Sequence, residues 1–104
     1  MKWNRSRLIE AIDERPVYIW GAMIVGQGVC RALQRNHIDV AAFLDSSPAM
    51  QGQSALGYPI YSPEPILKEA IKGNAWIIIG SGHHDRKIED ICFNAGLALQ
   101  KHYL

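Results

Sequence analysis

Cysteine is nearly absent from this sequence: two residues in 104, Cys30 and Cys92, set far apart and without CxxC spacing. That excludes a disulfide framework and predicts reduced, buried thiols in a cytoplasmic protein. An excess of either charge is lacking as well, with 11 Lys+Arg against 10 Asp+Glu and a net charge of +1. A nucleic-acid binder carries a basic face, so the mixed signs argue against DNA or RNA as a partner. Long apolar runs are missing. Stretches such as Trp76 to Gly80 fall far short of the roughly 20 residues a spanning helix needs, and Met1 to Glu10 holds no signal-peptide h-region, so no membrane is expected. Catalytic patterns are equally sparse. Tyr58 and Tyr61 have no lysine four residues on, no G-x-G-x-G loop follows Gly21, and no serine, cysteine or carboxylate pair has a nucleophile's setting. No pair at HxxxH spacing accompanies His83-His84, so no metal site is assigned.

What is present is a core. The chain is 48% hydrophobic and 20% charged, with no internal repeat, low-complexity tract or linker. By size scaling it buries roughly 65% of its unfolded surface, enough for one unstapled domain over residues 1–104. Asn4 or Ser6 can cap a leading helix running to about Glu14, stopped by Pro16. Val17 to Trp20 is an apolar run of high β propensity without polar alternation, which suits a central parallel strand covered on both faces. Val25, Val29 and Leu33 then recur at i, i+4 and i+8 on a helix ending near Asn36. Val40 to Leu44 reads as a second strand and stops at the turn formers Asp45-Ser46-Ser47-Pro48. Tyr58 to Tyr61 contains Pro59, which has no N–H, and so reads as a short edge strand or an extended segment. Ser62-Pro63-Glu64 opens a helix that Gly73 closes. Ala75 to Ile79 is a fourth strand, Ile88 to Ala95 a further helix, and Leu97 to Tyr103 a fifth strand.

Strands alternating with helices predict an α/β sandwich of three layers. A mostly parallel sheet of four or five strands, in the order 3-2-1-4-5, has helices on both faces and one leading helix. In such a sheet the ligand crevice lies beyond the carboxyl ends of the strands where the order reverses, between strands 1 and 4. Gly21, Ala22 and Met23 fall there, with Asp45 at the end of strand 2 and Gly80, Ser81 and Gly82 at the end of strand 4. The dinucleotide fingerprint G-x-G-x-x-G uses its glycines for the turn, for close approach of the pyrophosphate and for helix packing. Gly21 and Gly26 occupy the first and third places, but Met23 occupies the second, which disfavours ordinary NAD binding. Asp45, about 20 residues on, suits ribose hydroxyls. The plainer reading makes Gly21 and Gly26 a turn and a packing contact, with Asp45 capping the turn it begins. His83 and His84 divide the same way, between lightly packed imidazoles at a helix start and a contact to phosphate.

The segments VYIWGAMIVGQGVCRAL, VAAFLDSSPAMQG, LGYPIYSPE and WIIIGSG together resemble the Rossmann-like N-terminal domain of PglD-type sugar acyltransferases. They are also similar to domains attached to FkbM-type and sugar methyltransferases. The resemblance spans about Pro16 to Gly96, and Gly57, Pro59 and Ile60 supply its G-x-P-[IV] segment. It implies a nucleotide-sugar ligand lined by Gly21, Ala22, Met23 and Asp45, with Ser81 and Gly82 near the opposite wall; the turn glycines Gly26 and Gly80 and a phosphate contact from His83 complete the candidate binding set read from the residues themselves. It also implies a place at the N-terminus of a longer transferase whose catalytic residues lie elsewhere, since no hexapeptide repeat or methyltransferase domain occurs in these residues; Met23 departs from the family pattern, which has glycine there. The alternatives are a regulatory or interaction module docking a partner or a twin subunit around Ala49 to Tyr61, and a small NAD-type oxidoreductase or redox sensor. Which cofactor, if any, is bound stays open at this point.

Overall fold

The computed structural model describes residues 5–80. The predicted helix over Ile88 to Ala95 and strand over Leu97 to Tyr103 lie outside the described residues. Eight elements follow in order: α1 (Arg5–Ile12), β1 (Val17–Trp20), α2 (Ile24–Arg35), β2 (Ala42–Leu44), β3 (Ser54–Ala55), β4 (Tyr58–Tyr61), α3 (Pro63–Ile71) and β5 (Trp76–Ile79). The sheet runs β3-β4-β2-β1-β5, with β4, β2, β1 and β5 parallel and β3 antiparallel at one edge. Counting only the strands anticipated from the sequence, the observed order is the expected 3-2-1-4.

Alternation along β1 explains the layers. Val17 and Ile19 join a core with Ile12 of α1 and Cys30 and Leu33 of α2. Trp20, together with half-buried Tyr18, packs into a second core with Leu67 and Ala70 of α3. The central strand is therefore covered on both faces, which is why its sequence carries no polar alternation. Ile19 and Trp76 are fully buried on the first face; each such side chain contributes on the order of 2–3 kcal/mol of burial.

Three local details differ from the sequence reading. The helix α1 ends two residues early, at Ile12, because Asp13 and Glu14 adopt left-handed φ of 49° and 62°. The strand β4 is not at the edge. Leu56 and Gly57, at φ 52° and 84°, form a two-residue turn of primed type that folds Ser54–Ala55 back onto it. Pro59 is tolerated between two neighbours because it faces Ser54 at a position where the antiparallel ladder needs no N–H; the bonds fall on either side, with Ile60 N donating to Gln53 O at 3.0 Å. Finally, Ser62 occupies the N-cap of α3 but its hydroxyl makes no capping bond. One of the two amides it would reach belongs to Pro65, which has no hydrogen to give.

Candidate functional site

The site is built where β1 turns into α2. Gly21 takes φ 121°, a region closed to side chains, and its amide donates to Leu44 O at 2.8 Å, so the turn is pinned to the end of β2. On the other side Gly80 N donates to Trp20 O at 2.9 Å, tying the end of β5 to the same place. The Gln27 side chain closes the loop from the helix by donating to Ala22 O at 3.0 Å. Ala22 itself is buried in the first core.

Gly26 and Gly80 have one shared reason to be glycine. A Cβ on Gly26 would overlap the carbonyl oxygen of Gly21 and come within 3.1 Å of Gly80 O; a Cβ on Gly80 would lie 2.9 Å from Gly26 Cα. The helix thus sits directly against the ends of β1 and β5, and Gly21, Gly26 and Gly80 form one three-way backbone contact. Gly28, two residues further along the helix, has nothing within 4 Å of such an atom.

The first intrahelical bond of α2 is Gln27 N to Met23 O, at 2.9 Å. The amides of Ile24, Val25 and Gly26 accordingly have no carbonyl below them. Met23 at the N-cap offers no side-chain acceptor, and the first turn contains no acid. Helix N-termini of this kind carry partial positive charge and attract anions. Met23, Ile24 and Val25 are 63%, 84% and 49% exposed, an apolar ledge around those amides. Because Met23 extends into solvent rather than into the turn, it encroaches on an approaching phosphate only through a side chain that can swing.

Asp45 stands at the end of β2, next to the turn that Leu44 pins. One carboxylate oxygen accepts the Ser47 amide at 2.9 Å, so Asp45 does cap its own turn, leaving its other oxygen for a further donor. Its backbone is held from both directions, by Tyr61 O on its amide at 3.1 Å and by the Gln51 side chain on its carbonyl at 2.9 Å. Trp20, Ser46, Gln51, Ser62 and Glu64 line a hollow of about 100 Å³ beside it. Gln27 and Gln51 are contributions the sequence did not signal, since amide side chains that brace a backbone carry no motif. Ser81, Gly82 and His83 lie outside the described residues. Gly21, Ala22, Met23, Gly26 and Gly80 are brought together, with Asp45 one strand away.

Among the described residues no cluster of His, Cys, Asp or Glu is placed to hold a metal, and no helix is long and apolar enough to cross a membrane. Burial pushes the Cys30 thiol pKa up against the lowering pull of Arg31, which keeps it protonated and inert. Burial likewise raises Tyr18, with further contributions from Tyr61 and Glu69.

This arrangement of a central β1, a glycine turn and a crossing helix defines a class, the Rossmann-like α/β domain, and comparison with solved structures agrees. The chain is similar to UDP-D-quinovosamine 4-dehydrogenase from Vibrio fischeri, with a TM-score of 0.64 and 16% identity over 86% of this chain and 73% of that one. It is also similar to RSP, a Rex-family repressor, seen in complex with beta-NADH (TM-score 0.58, 14% identity, 88% of this chain) and with beta-NAD+ and operator DNA (TM-score 0.59, 17% identity, 88%). The chain spans less than half the length of the repressor, 48% and 44% in those two structures. No protein-family model and no curated protein matches the sequence.

Proposed function

We propose that this chain is a nucleotide- or nucleotide-sugar-binding domain whose ligand lies across the carboxyl ends of β1 and β5, with a phosphate against the open amides of α2. The observation that carries this is the contact of Gly21, Gly26 and Gly80, which brings an uncapped, acid-free helix N-terminus to the switch point of the sheet. Asp45 keeps one carboxylate oxygen for ribose or sugar hydroxyls. The likeness to a UDP-sugar dehydrogenase supports the ligand class. The sequence resemblance to PglD-type acyltransferases and to methyltransferase-associated domains supports a substrate-positioning role in a longer cytoplasmic transferase, with the reaction carried out by residues elsewhere.

A second reading, a regulatory module that senses NAD(H), is favoured by one observation. The chain is similar to a Rex-family repressor in complex with beta-NADH, a match that covers 88% of this chain. The two readings share the crevice and separate by ligand. Thermal unfolding of the full chain in the presence of UDP, UDP-sugars, NADH, coenzyme A and S-adenosylmethionine decides between them. A ligand at 100 times its Kd adds about 2.7 kcal/mol, a rise in melting temperature on the order of 10 °C for this size. A response to UDP-sugars alone supports the transferase reading and a response to NADH alone the sensor. Silence from the whole panel overturns both.

A further inference from the structure

The hollow of about 100 Å³ beside Asp45 lies between the ends of β1 and β2 and the start of α3. Whole small molecules need roughly 300 Å³ or more, so a space of this size takes one ring of a larger ligand. Its floor is apolar, made by the buried Trp20, Pro63 and Leu67. Its rim is polar, with Ser46, Gln51, Ser62 and Glu64 at the less buried positions.

Hydrogen bonds fix both banks. On one, Met50 N donates to Ser47 O at 3.0 Å, and the Gln51 side chain donates through Nε2 to Asp45 O at 2.9 Å, which leaves its Oε1 as an acceptor. On the other, Tyr61 O accepts from Asp45 N at 3.1 Å, and the Ser62 hydroxyl that follows makes no capping bond. The start of α3 is also the electrostatic opposite of the start of α2. Pro63 and Pro65 remove two of its first three amide hydrogens, and Glu64 places an acid in the first turn. An anion is disfavoured there and favoured at the open, acid-free amides of α2.

This inference rests on the nucleotide reading of the crevice: we propose that the hollow seats the base of the nucleotide, and that it admits a pyrimidine and turns away a purine. A nucleotide runs phosphate, ribose, base. The protein offers the amides of α2, the second oxygen of Asp45 and then the hollow that begins at Ser46, in the same order. A single flat ring covers the apolar floor, its N–H reaching Gln51 Oε1 or the Glu64 carboxylate and its carbonyl oxygens accepting from the hydroxyls of Ser46 and Ser62. A fused second ring has no room between banks that are tied to Asp45 on both sides. The hexose of a nucleotide-sugar is joined beyond the diphosphate, away from Asp45, and does not compete for the space.

The test titrates the isotope-labelled full chain with UDP and with ADP, which share ribose and diphosphate and differ only in the base, and follows the backbone amide resonances. UDP is expected to shift Gly21–Gly26 and, in the same saturable step, Ser46, Gln51 and Leu67, with a Kd at least about tenfold below that of ADP. Ser46→Leu, at an exposed position on the rim, fills the hollow and is expected to bring the UDP affinity to within about threefold of that for ADP. Ser62→Ala is expected to weaken UDP with the melting temperature unchanged, because its hydroxyl caps nothing. ADP binding as tightly as UDP, or UDP shifts at Gly21–Gly26 with Ser46, Gln51 and Leu67 silent, overturns the base seat and leaves the nucleotide reading standing. If neither compound shifts the turn, the nucleotide reading falls and the base seat falls with it.

Discussion

Replacing Gly26 by alanine tests the central contact of the site, and Gly28→Ala is its internal control. A Cβ on Gly26 would overlap Gly21 O, lie 2.8 Å from Gly21 C and 3.1 Å from Gly80 O. All three atoms are backbone at the ends of two strands, and none can move by a rotamer change. To restore ordinary contact α2 must lift off the sheet by about 1 Å or more, against the packing of Cys30 and Leu33. Overpacking of this kind costs about 3 kcal/mol at the unyielding end of its range, and alanine's better helix propensity offsets about 1 kcal/mol, for a net loss of about 2 kcal/mol. Gly28→Ala meets nothing within 4 Å and keeps only the propensity gain, about 0.5–1 kcal/mol. Thermal unfolding followed by tryptophan fluorescence, with Trp20 and Trp76 both buried, measures the pair. The melting temperature should fall by roughly 8–16 °C for the first variant and rise by a few degrees for the second. If the two alanines had equal effects, the close approach of α2 to the strand ends would not be what makes Gly26 a glycine.

Met23→Gly should leave stability within a few tenths of a kcal/mol, because the methionine is 63% exposed and glycine is an acceptable N-cap. It should tighten binding of a diphosphate such as NADH, measured by calorimetry; unchanged affinity would mean that the Met23 side chain already swings clear. The folded-state pKa values of Cys30 and Tyr18 are both raised, so the protonated forms are favoured by folding. Stability is fully present below their ordinary values of 9.0 and 10.0 and is lost as pH rises through the higher folded values. Urea midpoints across the alkaline range should fall accordingly, and Cys30→Ala should remove the earlier part of that fall. A decline of the same onset and depth in the alanine variant would exonerate the thiol.

Much of this fold is legible in the sequence because a strand covered on both faces has to be apolar throughout, and Val17 to Trp20 and Trp76 to Ile79 are. The roles of Gly21 and Gly26 were legible for the same kind of reason, since five-residue glycine spacing at a strand-to-helix junction has few other uses. The strand β3 was not. Its turn relies on Leu56 before Gly57, and leucine at φ 52° gives no hint of the Asn-Gly pairs that usually announce a hairpin. The carboxylate of Asp45 was readable as turn cap or ribose ligand, and only the 2.9 Å bond from Ser47 showed that the first role is in use. A hollow at the amino ends of the strands left no trace in any motif, because Ile9, Arg15, His37 and Val40, which line it, come from separate segments.

The pairing of β1 with β5 also sets a timetable for synthesis. Val17 faces Trp76, 59 positions later (76 − 17), while the other edge of β1 finds Ala42 only 24 positions on from Tyr18 (42 − 18). At translation rates of roughly 5–20 residues per second, this apolar strand of the nascent chain waits about 3–12 s with one edge unpaired. Such an edge is open to the wrong partner throughout that interval. Among the described strands, the same centrality that lets β1 organise two cores makes it the last of the parallel strands to gain a neighbour on both sides.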